Sequence, residues 1–208
     1  YALVLVLWEP IYVACGFSLY LNRRTVLEAW DLELVFRRLR QRLSGIATVA
    51  LLRKNIERNK LKDVTIFHGA VSDTAGHLSL FIHPTKPGSL KMSTYARKGM
   101  TVEVQVPAER LSTLLLKAGW TQVDLAKIDI EGAEWQVLHD LTTSGWLTKV
   151  QQYVIEYHHL MGTHESKFGE FLKDFEAAGY LYQMNTKSLP YNHAPQFQDI
   201  LLYLQRKT

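Results

Sequence analysis

One run constrains the fold more than any other: Val123-Asp124-Leu125-Ala126-Lys127-Ile128-Asp129-Ile130-Glu131-Gly132-Ala133-Glu134. An apolar stretch closes on two acids and a glycine, and a helical pattern begins at once. A parallel strand buried on both faces reads this way. Its carboxyl end is the edge at which open α/β sheets bind ligands. Asp129 and Glu131 stand two apart, so a strand running through both would point them the same way. If the strand has ended by Glu131, that acid lies beside the helix N-terminus, where negative charge is favoured. Glu134 is read as serving that helix's first turn. Asp129 differs, because an acid closing an apolar strand is costly without a partner or a function.

The rest of the chain alternates around this unit. Leu51 to Lys60 is helical in pattern, and Val64 to His68 is a short strand running out through Gly69-Ala70-Val71-Ser72-Asp73. His77 to Ile82 and Thr101 to Val106 alternate as half-buried strands, with an exposed loop from Pro84 to Gly99 between them and Pro107 stopping the second. Glu109 to Ala118 reads as a helix ending at Gly119, and Ala133 to Leu141 as the next helix. Val150 to His158 is a strand. Lys167 to Ala178 is a helix whose Phe168, Phe171, Leu172 and Phe175 form a core stripe, closed by Gly179. Tyr180 to Met184 and Ile200 to Leu204 suit an antiparallel pair. Such alternation implies a mostly parallel sheet covered by helices on both faces, with a mixed edge.

Composition narrows the function. At 208 residues with 47% hydrophobic content the chain can bury one core without disulfides. A single cysteine, Cys15, excludes an internal disulfide and a multi-cysteine zinc site. The net charge of +4 is spread along the chain, apart from Arg37-Arg38-Leu39-Arg40-Gln41-Arg42 and Arg53-Lys54. No basic stripe interleaved with aromatics is present, so no nucleic-acid partner is expected. Residues 1–21 are strongly apolar, but Glu9-Pro10 falls near their middle, where a charge is costly in a bilayer. A buried strand followed by an apolar helix is therefore expected there, and a cytoplasmic location ahead of a membrane anchor. Residues 1–47 are read as an atypical N-terminal segment, either an anchor or displaced first strands, and residues 48–208 as the domain proper.

Glu156 closes the next apolar strand and His158 follows two residues on, on the same face of an extended chain. Asp129, Glu156 and His158 thus reach one sheet edge, where together they suit orienting and deprotonating a hydroxyl. For His158 the alternative, the start of a loop at His158-His159, stays open. The histidines show no metal-ligand spacing with the acids, and no metal is expected.

These pieces, taken in order, resemble the FkbM-type methyltransferases. Val123 to Leu138 is similar to that family's strand-four motif K-I-D-hydrophobic-E-G-A-E with its helix. Leu51 to Asn59 resembles its L-L-x-x-N-I-x-x-N helix, and Val64 to Asp73 its strand three ending in A-V-S-D. Gly76 to Phe81, Val106 to Leu115 and Tyr153 to His158 resemble three further segments. The resemblance spans about Thr48 to His158. It implies an α/β, three-layer, Rossmann-like class I methyltransferase sheet, mostly parallel with an antiparallel C-terminal strand pair, its N-terminal strands atypical or missing. It also implies S-adenosylmethionine as donor and a hydroxyl of a saccharide or other small-molecule acceptor as target. Ala70 and Val71 should border the adenine. Asp129 should lie near both sulfonium and acceptor, with Glu131 and Glu156 on the acceptor.

Two departures stand out. The family's strand-one motif D-x-G-A-N-x-G and the F-E-P before the L-L-x-x-N helix are not at their places, and Trp8-Glu9-Pro10 comes too early to be the latter. Ser112-Thr113 replace the usual Asp-Asp. The first departure leaves an alternative expectation: a catalytically impaired relative acting as an interaction module.

Overall fold

The computed structural model describes residues 3–7, 15–20, 45–84, 94–96, 99, 101–161, 166–186 and 198–207. The expected loop from Pro84 to Gly99 and the Arg37–Arg42 cluster lie largely or wholly outside them. In chain order the strands are β1 (Leu3–Leu7), β2 (Cys15–Tyr20), β3 (Ile66–Ser72), β4 (Gly76–Ile82), β5 (Val102–Arg110), β6 (Val123–Asp129), β7 (Val150–His159), β8 (Tyr180–Thr186) and β9 (Gln198–Arg206). The helices are α1 (Gly45–Arg58), α2 (Leu111–Lys117), α3 (Glu134–Thr143) and α4 (Phe168–Ala177).

All nine strands join one sheet in the order β4-β5-β3-β2-β1-β6-β7-β9-β8. β1, β6 and β7 are parallel neighbours, as are β3 and β5. β9 runs antiparallel between β7 and β8, the mixed edge expected of the C-terminal pair. α2 packs on α3, α3 on α4 and α4 on β8, so these helices form a layer over one face. Between helices and sheet lies the core, with Val71, Ile130, Val137 and Leu202 wholly buried and Trp146, Tyr153, Phe171 and Phe175 its largest side chains.

The N-terminal strands depart from a doubly wound sheet. β2 is antiparallel to both β1 and β3. The reason is chain length: only residues 8–14 link β1 to β2, whereas a parallel connection needs a crossover of about a dozen residues or more. The apolar helix expected after the first strand is replaced, at Cys15–Tyr20, by a strand. Cys15-Gly16-Phe17-Ser18-Leu19-Tyr20 alternates with period two, which suits a strand paired on both edges. Among the described residues no helix is long and apolar enough to cross a membrane.

Three boundaries shift for local reasons. α1 begins at Gly45 and closes through Lys60, whose φ of 51° is left-handed, with Leu61 N–H donating to the Ile56 carbonyl at 3.0 Å. β3 continues to Ser72 because its end pairs with β5. β5 runs through Pro107 to Arg110, so α2 starts at Leu111 rather than Glu109. Pro107 faces His77 of β4 one residue before the pairing with β3 begins at Ala108. The start of α2 is then tied down by Asp140 of α3. Its carboxylate accepts from the Ser112 backbone N–H, the Ser112 hydroxyl and the Arg110 guanidinium, each at 2.7 Å. Ser112 thus ties the start of α2 to a buried acid from another helix. Gly119 and Gly179, at φ 75° and 84°, end α2 and α4 as the sequence requires.

Candidate functional site

β6 is flanked by parallel neighbours on both sides, and its last four residues, Ala126 to Asp129, are all buried. Burial forces the two polar members of this stretch to find each other. Lys127 and Asp129 stand two apart on the same side of the strand, with Lys127 Nζ 3.6 Å from Asp129 Oδ2. Leu7, the last residue of β1, is paired with Asp129, so the carboxyl ends of β1 and β6 lie side by side.

The strand stops at Asp129, and the chain then turns sharply. Ile130 is wholly buried, Glu131 has a φ of 49° and Gly132 one of 102°. Of the two sequence readings for Glu131, the one in which it has left the strand holds. A side chain at Gly132 would meet the flexible Met161 side chain, with Sδ at 2.9 Å, and it is the φ of 102° that demands glycine there. Glu134, the first residue of α3, reaches back and its Oε1 accepts the Gly132 N–H at 3.1 Å. The same oxygen is 2.7 Å from His158 Nδ1, and both side chains are only 3% exposed.

His158 therefore bridges the ends of two strands. Its Nε2 lies 3.8 Å from Glu131 Oε2 and 4.0 Å from Oδ1 of Asp199, its partner in the β7–β9 ladder. Burial alone would lower its pKa. The hydrogen bond to Glu134 and the charges of Glu134, Glu131 and Asp129 outweigh burial and raise it to about 10. At neutral pH the ring is an imidazolium, a donor and not a proton acceptor. Glu156, two residues earlier on β7, has its carboxyl pushed above the usual range by burial and by the charge of Asp129. His158 pulls it back, Asp199 adds to the rise and Lys127 offsets it.

Behind this edge stands an aromatic wall. The Tyr157 ring packs on Phe168 and Phe171 at centroid distances of 4.9 and 4.8 Å, and its hydroxyl accepts from Trp135 Nε1 at 3.1 Å. Phe168 and Phe171 belong to the stripe read from the sequence as core with Leu172 and Phe175, of which Phe171, Leu172 and Phe175 are buried and Phe168 is partly buried.

The structure thus brings Asp129, Glu131, Glu156 and His158 to one edge, as two neighbouring parallel strands must. Ala70 and Val71 lie elsewhere, near the end of β3, buried in the core three strand spacings away, or about 14 Å. Sequence reasoning missed two members. The sequence pattern gives Glu134 to its helix alone, although a turn at Glu131-Gly132 redirects it toward β7. The sequence pattern starts the last strand at Ile200, just past Asp199; the strand begins two residues earlier, which places Asp199 opposite His158. The fold also assembles what linear spacing did not show. Ligand atoms of Asp129, Glu131 and His158 lie within 4.8 Å of one another, as do those of Glu156, His158 and Asp199.

Comparison with protein families matches the methyltransferase FkbM domain over residues 6–207. The chain belongs to the FkbM methyltransferase family. Searches of curated proteins and of solved structures returned no match. For an FkbM methyltransferase, the Lys127–Glu134 run ending β6 is the segment whose acids the fold gathers with those of β7 and β9.

Proposed function

We propose that this chain transfers a methyl group from S-adenosylmethionine to a hydroxyl oxygen of a saccharide or other small polyhydroxylated acceptor. The observation that carries the reading is the meeting of Asp129, Glu156 and His158 at the carboxyl ends of adjacent parallel strands. Asp129, Glu131, Glu134, Glu156 and Asp199 gather there against Lys127 and His158, a surplus of negative charge that fits a cationic sulfonium. Asp129 would hold that end of the donor, and the end of β3 at Ala70 and Val71 would border the adenine. The donor, when bound, supplies the electrophilic methyl group.

The protein's own residues do the rest. Asp129, with Lys127 Nζ 3.6 Å away, takes the hydroxyl proton while the acceptor oxygen bonds to the methyl carbon, whose bond to sulfur breaks. Glu156 and Glu131 accept hydrogen bonds from the acceptor and orient it. His158, fixed by Glu134, stays a cation that keeps these acids in place. The test is calorimetry with S-adenosylmethionine, followed by transfer of labelled methyl to a panel of saccharides. Binding, with transfer lost in Asp129→Asn, supports the reading.

A second reading is favoured by β2. Because it runs antiparallel, its carboxyl end is turned away from the edge where donor-holding strand ends gather. On that reading the chain is a catalytically impaired interaction module. Folded protein giving no heat with millimolar donor would establish it in place of the first.

A further inference from the structure

We infer that the outer edge of β8 pairs with the same edge of a second copy of this chain, antiparallel and about a two-fold axis, so that two sheets become one. Among the described residues β8 closes the sheet, with β9 on one side of it and no strand on the other. The ladder with β9 fixes which main-chain groups face outward. Successive pairs of an antiparallel ladder alternate between hydrogen-bonded and non-bonded. Lys207 N–H donates to the Gly179 carbonyl at 3.0 Å, and the same register continues from Tyr180 opposite Arg206 to Thr186 opposite Ile200. Leu181, Gln183 and Asn185 therefore bond to β9. Tyr180, Tyr182, Met184 and Thr186 turn their N–H and C=O groups to the open side.

Edge strands are usually blunted by charge, proline or a bulge. Tyr180-Leu181-Tyr182-Gln183-Met184-Asn185-Thr186 has no charged residue and no proline, and its pairing with β9 runs without a bulge. The opposite edge, β4, keeps Leu80 and Ile82 buried, whereas Leu181 and Met184 of β8 are 60% and 53% exposed, one on each face. The ring contacts of α4 lie inward of this edge, where Phe171 and Phe175 meet Tyr157 and Tyr153 of β7 at 4.8 and 5.2 Å.

Charge and symmetry select the occupant. The chain carries a net charge of +4, so two copies repel on the whole, and an uncharged edge is where they can approach. A two-fold axis perpendicular to the sheet keeps each side chain on its own face, so it must pass through a residue and not between two. Through Gln183 the whole strand overlaps: Tyr180 opposes Thr186, Tyr182 opposes Met184, and Gln183 opposes itself. All the outward-facing residues are then used, giving about eight main-chain hydrogen bonds. Each Met184 thioether also meets a Tyr182 ring of the second copy. A seven-residue strand on each side falls well short of the roughly 20–30 residues of a standard interface, so the dimer forms and separates with concentration. Nothing in this pairing depends on the methyl-transfer reading.

The experiment is sedimentation of the whole chain from about 1 to about 200 μM, over which its mass should rise toward twice that of one chain. Met184→Pro removes an outward N–H that the β9 ladder does not use, so the fold is kept. Association should weaken at least about a hundredfold, because the two-fold repeats the lost donor. Gln183→Lys, at an exposed position, sets two lysines opposite each other and should weaken association about fivefold. Mixing Gln183→Lys with Gln183→Glu should restore it at least to the parent's strength. Circular dichroism checks each variant, and if Met184→Pro does not fold, the lysine–glutamate mixture decides alone. A chain still monomeric at about 200 μM would leave the edge to a foreign strand and overturn the assignment. So would a dimer indifferent to Met184→Pro, or a mixture that associates no more tightly than Gln183→Lys alone.

Discussion

The two halves of the sheet treat polar side chains in opposite ways. On the β5–β4 flank, Ser79, Glu103 and Gln105 form an exposed ladder, with the Ser79 hydroxyl donating to Glu103 and Gln105 donating to Ser79, both at 2.6 Å. On the β6–β7–β9 side the polar groups are charged and most are buried, with Asp129 against Lys127 and Glu134 against His158. An exposed polar ladder competes with water and needs no explanation beyond solubility. Buried charges are costly to desolvate, and replacing such pairs with apolar residues is often neutral or stabilising. A buried charge also stands by the end of β5, where Asp140 holds Arg110 and Ser112, but there it ties one helix to the start of another. The gathering of several buried charges at the ends of β6 and β7 is what points to chemistry at that edge.

That contrast can be broken by measurement. Asp129→Asn should cut methyl transfer by about 10²–10⁴-fold in a labelled-donor assay, the range for losing a positioned proton acceptor. A fall below tenfold would move the reaction away from this edge. Phe171→Ala, which removes a 1% exposed ring packed on Trp135, Tyr157 and Phe175, should cost about 3–5 kcal/mol in denaturant unfolding. A smaller loss would mean the aromatic wall is not what supports the acids.

The third prediction concerns pH. His158 has a folded pKa near 10, above its value of 6.5 in an unfolded chain. Its stabilising contribution is therefore complete below about pH 6.5 and is lost as pH rises toward 10. Glu134 on α3, Glu131 in the turn, Asp129 and Lys127 on β6, Glu156 on β7 and Asp199 on β9 are the charged groups around it. Unfolding measured in EDTA should show stability declining across that window, and His158→Gln should flatten the decline. On the other flank, Gln105→Ala should stay within about 0.5 kcal/mol of the parent. A larger change there would blur the comparison from the opposite direction.

Much of the acid-bearing half was legible because its signals are local. The Lys127–Glu134 run carries strand, turn and helix start in consecutive residues, and Gly119 and Gly179 mark helix ends through a backbone requirement. What escaped the sequence depends on pairing across distance. Glu134 looks like an ordinary first-turn acid until β7 is laid beside β6. Asp199 looks like loop until β9 is set in register with His158. The reversed direction of β2 follows from the short link after Leu7, and composition carries no sign of it. Pro107 misled for a related reason, since a proline stops a strand only where a partner needs its missing N–H.

The position of β9 has a consequence for how the molecule comes into being. This strand slides between β7 and β8, so the edge of β7 that carries Glu156 and His158 stays open until residues near 200 have left the ribosome. Residues 123–161 can already have formed β6, α3 and β7 by then, yet the acid cluster lacks Asp199. Synthesis order alone thus delays assembly of the complete cluster until the late strand is available, and a nascent chain stalled before Gln198 would carry the family motif without the finished edge.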